Sequence, residues 1–234
     1  MNLKLFSFNQ KNSSKKLEFF LNSRKSVQQN KSAIVKKIIN KVKKDGDKAV
    51  LNFEKKFSNT KIKSKKIKFS KSEIKQILKK VDKNLKSSID LAFNRIKKFH
   101  LKQKLIPFKY KDKYKNELSY KFSPIEKVGV YVPGGTASYP STVLMNCIPA
   151  LVAGVKNIYL TTPALGKSVN PAIIYAAKKC RVKEIYKTGG AHSVAALAFG
   201  TKTFKKVDKI VGPGNAFVAA AKKEVFGEVG IDMV

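Results

Sequence analysis

The sequence has no tryptophan, two cysteines, two histidines, and 15 acidic residues against 50 lysines and arginines. Each scarcity excludes something. Cys147 and Cys180 form no CxxC pair, so there is no disulfide framework. Both sit in apolar stretches of helical spacing and read as small buried hydrophobes. His100 and His192 lie far apart, and a catalytic zinc needs about three protein ligands, so no metal constellation is visible. No Ser-His-Asp pattern and no paired-carboxylate site stands out. No apolar run reaches the roughly 18 residues of a membrane span. Met1 to Lys15 lack an apolar core followed by a small-residue cleavage site, so no secretory leader is expected and the expected compartment is the cytoplasm.

What the chain has in excess is lysine. A formal net charge of +35 by itself suggests nucleic acid or an anionic membrane surface. Only Arg24, Arg95 and Arg181 are arginine, whereas base reading and phosphate clamping favour the planar guanidinium fork. The lysines are also spread along the chain instead of forming a dense basic arm. Residues 1–125 carry a net +27, and residues 126–234, which hold the informative motifs, only +8. The expectation is a solvated lysine-rich surface with no nucleic-acid and no membrane partner. A basic nucleic-acid-binding protein ranks last among the readings; lysines clustered on one face with aromatics between them would favour it.

Residues 1–123 read as a mostly helical, basic region with short strands. Lys31–Lys44 places Ile34, Ile38, Ile39 and Val42 on one helix face. Gly46 breaks that helix, and Asp47 is expected to cap the next, which runs through Val50, Phe53 and Phe57. Lys61–Lys68 alternates isoleucine with lysine like a short edge strand. Ser70 or Ser72 opens a helix containing Ile74 and Leu78. Asp82–Gln103 spaces Leu85, Ile89, Phe93, Ile96 and Phe99 for one buried face, and Pro107 ends it. A hairpin of Phe108–Tyr110 and Leu118–Phe122 follows.

From Pro124 onward glycine becomes frequent. Strands are expected at Lys127–Val132, Asn157–Thr161, Glu184–Lys187 and Val207–Val211, with helices at about Thr142–Ala153, Pro171–Cys180, Ser193–Phe199 and Ala216–Val225. Apolar strands alternating with helices indicate an α/β fold with a parallel sheet and right-handed crossovers. The boundary falls near Ser123, dividing the chain into 1–123 and 124–234. No long linker separates the parts, so they are expected to pack together.

Ligands of parallel α/β folds sit beyond the carboxyl ends of the strands. The segments there are Tyr131-Val132-Pro133-Gly134-Gly135, Thr161-Thr162-Pro163, Thr188-Gly189-Gly190-Ala191-His192 and Gly212-Pro213-Gly214-Asn215. Glycine admits close backbone approach, and the helix starts that follow such turns suit a phosphate. Any one turn reads most simply as a tight connection; three glycine-rich turns at one end of a sheet read as a ligand site. No G-x-G-x-x-G and no G-x-x-x-x-G-K-[ST] fingerprint is present. Tyr131 either stacks on a ligand ring or is buried with a satisfied hydroxyl. His192 either caps its helix or faces solvent, or else contacts ligand. Asn215 is a helix N-cap or a ligand contact. His100 ends a long helix and is given no catalytic role.

Taken in order, these stretches resemble the histidinol dehydrogenase family. The resemblance rests on Val128-Gly129-Val130-Tyr131-Val132-Pro133-Gly134-Gly135 and Tyr139-Pro140-Ser141-Thr142-Val143-Leu144-Met145, with Ile148-Pro149-Ala150 and Ala153-Gly154-Val155. It continues in Gly189-Gly190-Ala191 with Ala195-Ala196-Leu197-Ala198-Phe199-Gly200-Thr201, in Val207-Asp208-Lys209-Ile210-Val211-Gly212-Pro213-Gly214-Asn215, and in Gly230-Ile231-Asp232-Met233. Gly46-Asp47-Lys48-Ala49, Phe57, Arg95-Ile96 and Phe99-His100 agree more weakly. The resemblance implies an incomplete Rossmann-like domain over 124–234. It also implies oxidation of L-histidinol to L-histidine in two NAD-dependent steps through a bound aldehyde, with zinc as a second cofactor and a homodimer. By motif, the NAD contacts fall on Tyr131, Asn215 and the residue after Gly-Gly-Ala, usually glutamine in the family and His192 here. The family's zinc ligands and catalytic Glu-His pair lie beyond the motifs found, so this chain is expected to carry no catalytic and no metal residue and to be inactive alone. The alternative is a non-catalytic NAD-binding remnant, or a split half that needs a C-terminal partner. A wholly different dehydrogenase on a similar sheet fits the motif order less well.

Overall fold

The computed structural model describes residues 7, 12–58, 66–134, 139–163 and 169–233. The N-terminal elements are α1 (Ser13–Asp45), α2 (Asp47–Ser58), α3 (Lys71–Lys79), α4 (Lys83–Lys102), β1 (Phe108–Lys111) and β2 (Glu117–Tyr120). Then follow β3 (Lys127–Tyr131), α5 (Pro140–Ala153), β4 (Asn157–Thr161), α6 (Pro171–Lys179), β5 (Glu184–Tyr186), α7 (Gly190–Phe199), β6 (Lys209–Val211), α8 (Ala216–Val225) and β7 (Gly230–Ile231). The last five strands make one parallel sheet in the order β5-β4-β3-β6-β7.

Side chains alternate across this sheet, as strand geometry requires, and so feed two cores. Val128, Val130, Val132, Ile158, Leu160 and Ile185 pack with α5, α6 and α4. Tyr131, Tyr159, Tyr186 and Ile210 pack with α7 and α8, together with Val35, Ile38, Ile39 and Val42 of α1 and Val50 of α2. The N-terminal helices therefore have no core of their own: α1 and α2 cover one face of the αβ layer, and α3 and α4 the other. Tyr175 and Lys179 of α6 hold Asp90 of α4 at 3.1 and 2.9 Å, which ties the second pair of layers together.

Most boundaries fall within a few residues of expectation, and the exceptions have local causes. α1 begins 18 residues before Lys31, in a mostly polar stretch whose Leu17, Phe20 and Leu21 are spaced for a helix. α5 starts at Pro140, whose fixed φ suits the first helical position. β6 begins at Lys209, because the Val207 N–H donates to the Leu197 carbonyl of α7 and so leaves the ladder. Asp47 does not cap α2. Its carboxylate accepts from the Thr201 and Thr203 hydroxyls and from the Thr203 N–H, pinning the α2 start to the α7–β6 connection. Residues 61–65 of the expected edge strand lie outside the described residues; Lys68 bridges Tyr186 antiparallel and covers the β5 edge. Ser70, with Glu73, forms a full capping box on α3.

Phe99 departs from its expected burial and is 61% exposed. The buried stripe of α4 runs from Ile89 and Phe93 through Ile96 toward His100, one position past Phe99. The β1–β2 hairpin is exposed on both faces. Its register puts Phe108, Tyr110, Leu118 and Tyr120 on one face and Lys109, Lys111 and Glu117 on the other, so lysines and aromatics are segregated instead of interleaved. Cys147 and Cys180 are fully buried, and hydrogen bonding to Cys180 together with burial pushes the Cys147 thiol well up, as suits an inert hydrophobe. Among the described residues, no helix is long and apolar enough to cross a membrane.

Burial makes a paired test possible. Leu197, fully enclosed between α7 and the sheet, is expected to cost about 3 kcal/mol on truncation to alanine. Phe99→Ala is expected to cost under about 1 kcal/mol. Urea unfolding of the two variants checks both; equal losses would mean that the α4 register is wrong.

Candidate functional site at the carboxyl edge of the sheet

Because all five strands run parallel, the turns after β3, β4, β5 and β6 leave the sheet along one edge. The chain winds outward from β3 to β5 and returns to pair β6 on the other side of β3. The order reverses between β3 and β6, which makes the crevice there the topological switch point, where such sheets bind ligands.

The four turns interlock. A Cβ on Gly189 would lie 2.2 Å from Cγ of Pro163, and one on Gly134 would lie 2.9 Å from Cβ of the same proline. Pro163 is thus a wedge between the turns on either side of it. Gly212 has φ +112°, and a Cβ there would lie 2.1 Å from the Tyr131 carbonyl oxygen. Only glycine permits both that conformation and that approach.

Tyr131 is 4% exposed. Its hydroxyl oxygen accepts from the Gly190 N–H at 3.0 Å, so the first and third turns are bonded directly. Burial pushes the phenol up, the Gly190 N–H opposes this, and the nearby Glu54 carboxylate adds to it. The structure thus gives Tyr131 a satisfied hydroxyl in a buried setting.

His192 neither caps α7 nor faces solvent; it is 2% exposed. Its Nε2 lies 2.8 Å from Oε2 of Glu54, and the rings of Phe53 and Phe57 lie 6.0 and 6.1 Å from its own. Asn215 is the N-cap of α8, accepting from the Phe217 and Val218 N–H groups at 3.0 and 3.2 Å on the exposed side of the last turn. Tyr131 and the His192 turn are therefore joined directly, and Gly212, three residues before Asn215, lies against Tyr131.

Under the last turn sits a buried lysine. Lys222 donates to the Gly212 carbonyl at 3.1 Å and is ion-paired with Asp232, whose other oxygen accepts the Gly212 N–H at 2.8 Å. Desolvation raises the Asp232 carboxyl, but Lys222 and the N–H groups of Gly212 and Met233 outweigh it and hold the group below the usual range. Neither Glu54 nor Lys222 stood out from motif reading. The available signal was periodicity: Glu54 lies four residues from Val50 and three from Phe57, and Lys222 four from Val218 and three from Val225, each a charge on an apolar stripe.

Three buried side-chain atoms stand without a partner among the described residues: Glu54 Oε1, His192 Nδ1 and Thr162 Oγ1. All three belong to the turns of this rim or to the floor beneath it. Buried polar atoms are normally satisfied, and each orphan costs about 1–3 kcal/mol. Glycine turns that admit close approach, with polar atoms left open beside them, suit a ligand as polar as a dinucleotide. Zinc does not fit the described residues, since no three His, Cys, Asp or Glu side chains cluster among them. A separate cleft of about 580 Å³ is walled by His100, Leu105, Pro107, Phe122, Pro149 and Ala153, at the ends of α4 and α5. Gln103, Lys104 and Ser123 line it as well, and it shares no residue with these turns.

Two substitutions test the rim. Gly212→Ala must bring a methyl into the Tyr131 carbonyl at positive φ and is expected to cost at least about 2 kcal/mol. Asp232 has a lowered folded-state pKa, so its contribution is complete above the ordinary value of 3.8 and is lost as pH falls through the folded value. Wild type is therefore expected to lose more stability than Asp232→Asn on acidification below about pH 4. Urea unfolding across pH 2.5–6 reads the difference, and parallel curves would remove Asp232 from the clamp.

Comparison with known proteins places this arrangement in a family. The family profile for histidinol dehydrogenase matches residues 21–234. Histidinol dehydrogenase of Pelagibacter ubique (strain HTCC1062) is 52% identical over 230 residues, which is 98% of this chain and 53% of that protein. Histidinol dehydrogenase of Agrobacterium fabrum is 46% identical over 219 residues, 94% of this chain and 51% of that protein. The crystal structure of histidinol dehydrogenase from Elizabethkingia anophelis superposes with a TM-score of 0.82 at 40% identity, covering 86% of this chain and 46% of that one. The chain thus spans about half the length of the relatives it matches. With this sheet, this rim and these relatives, the chain belongs to the histidinol dehydrogenase family.

Proposed function

We propose that the chain supplies the NAD-binding side of a histidinol dehydrogenase, which oxidises L-histidinol to L-histidine in two NAD-dependent steps through a bound aldehyde, the last step of histidine biosynthesis. The observation that carries this reading is the convergence of glycine turns and partnerless buried polar atoms at the switch point between β3 and β6. NAD, when bound, takes up the hydride. The chain's own part is to hold it. Tyr131, fixed by the Gly190 N–H, walls the crevice on the β3 side. His192 presents a polar ring from beneath the third turn. Asn215 caps α8, whose partly positive N-terminal end favours an anionic group such as the pyrophosphate.

Zinc is the family's second cofactor. The described residues offer it no site. Residues 1–234 are accordingly proposed to bind NAD without oxidising histidinol by themselves. The alternative, a non-catalytic NAD-binding remnant or a split half that needs a C-terminal partner, keeps the same site. A cytoplasmic location, and the homodimer that the resemblance implies for the family, complete the proposal.

The test is calorimetric titration of the 234-residue chain with NAD, followed by an assay for NADH with L-histidinol and zinc. NAD binding that Tyr131→Ala weakens by about tenfold, with no NADH above background, is the expected outcome. Binding untouched by Tyr131→Ala would remove the site from the switch point, and turnover by the chain alone would show that it carries catalytic residues after all.

A further inference from the structure

We infer that Glu54, on α2, is a positioning residue for the cofactor contact of His192. The inference rests on the NAD-binding reading above and extends it to a helix outside the motif-bearing half of the chain. Glu54 and His192 are both about 98% buried, and they form one pair with Nε2 2.8 Å from Oε2. Facing an ionised Glu54, whose oxygens only accept, Nε2 of a neutral imidazole carries the hydrogen and Nδ1 is left as the free ring atom. Nδ1 is buried and unpartnered, and it lies 3.5 Å from where a Cβ of Gly190 would sit. Gly190 has no side chain, so the ring atom faces the third turn across an open position. The same Gly190 donates its N–H to Tyr131, which brings the orphaned nitrogen next to the other proposed contact.

Phe53 and Phe57 close the pair in from the α2 side, each about 6 Å from the imidazole ring. A ring flanked this way keeps its orientation, and its partner fixes which nitrogen is presented. A glutamine amide at this position would offer donor and acceptor together without help. An imidazole offers one or the other, and a buried carboxylate on its far side decides which. With Nε2 committed to Glu54, Nδ1 accepts a hydrogen bond from a cofactor donor such as a ribose hydroxyl or the carboxamide N–H.

A merely structural Glu54 would influence folding alone, so the test separates the two roles. His100 and His192 are the two histidines of the chain, and nitrogen-15 spectra of the imidazoles report them as two resolved sets, with His192→Gln removing one. The wild type is expected to show His192 with hydrogen on Nε2 and an unprotonated Nδ1, and Glu54→Gln is expected to change that signature while His100 stays as it was. Glu54→Gln is expected to weaken NAD binding about tenfold with His192 present, and less than about twofold in the His192→Gln background. Glu54→Asp, which keeps the carboxylate but retracts it, serves if Glu54→Gln fails to fold and is expected to give an intermediate loss. Equal losses in both backgrounds, or an unchanged imidazole signature, would overturn the inference and leave the cofactor site standing. No NAD binding by the wild type, or none of it sensitive to His192→Ala, would overturn the cofactor reading and the inference with it, whatever the spectra show.

Discussion

The site depends on Gly212 lying against the Tyr131 carbonyl. A parallel sheet brings turns to one edge but does not bring them into contact. Contact comes from three places where a side chain is absent: Gly212 on Tyr131, and Gly134 and Gly189 on Pro163. Each removes a Cβ that would force neighbouring turns apart. The result is a continuous rim at the reversal of strand order, with the Tyr131 hydroxyl bonded across to Gly190. Lys222 and Asp232 then grip both the carbonyl and the N–H of Gly212 from below.

Such a rim is expensive in the currency of buried polar groups. Lys222 is nearly enclosed, and it is tolerable because Asp232 and the Gly212 carbonyl satisfy it. The Glu54–His192 pair is satisfied on one side only, with an orphaned atom at each far end. Stability alone would favour apolar residues of similar volume at these positions. Unfinished hydrogen bonding in an interior otherwise filled with valine, isoleucine, alanine and leucine supports the ligand site proposed above. The N-terminal helices take part in this: α1 and α2 close the α7–α8 side of the sheet, and α2 delivers Glu54 to the floor of the rim.

Strand and helix positions after residue 124 were legible, because period-2 and period-3.6 apolar patterns alternate there and glycine or proline marks each change. The glycine turns marked the sheet edge at which the site is proposed. Side-chain detail was less legible. His192 read as a cap, a solvent-facing residue or a ligand contact, because its helix was expected to begin at Ser193; α7 instead starts at Gly190 and His192 is buried against Glu54. Phe99 read as buried because the α4 stripe was continued one position short of its true path. Glu54 and Asp47 act over more than a hundred residues of sequence separation, on His192 and on Thr203, and no local pattern encodes such pairs. The +35 charge, loud in composition, is dispersed over helix surfaces and names no partner.

The most direct measurement of the central claim is an amide NMR titration of the chain with NAD, mapped residue by residue. Perturbations concentrated at Gly134, Gly189, Gly190, Gly212 and Asn215 are the predicted result. Perturbations centred instead on the cleft around His100, Leu105 and Pro149, or none at saturating NAD, would contradict it.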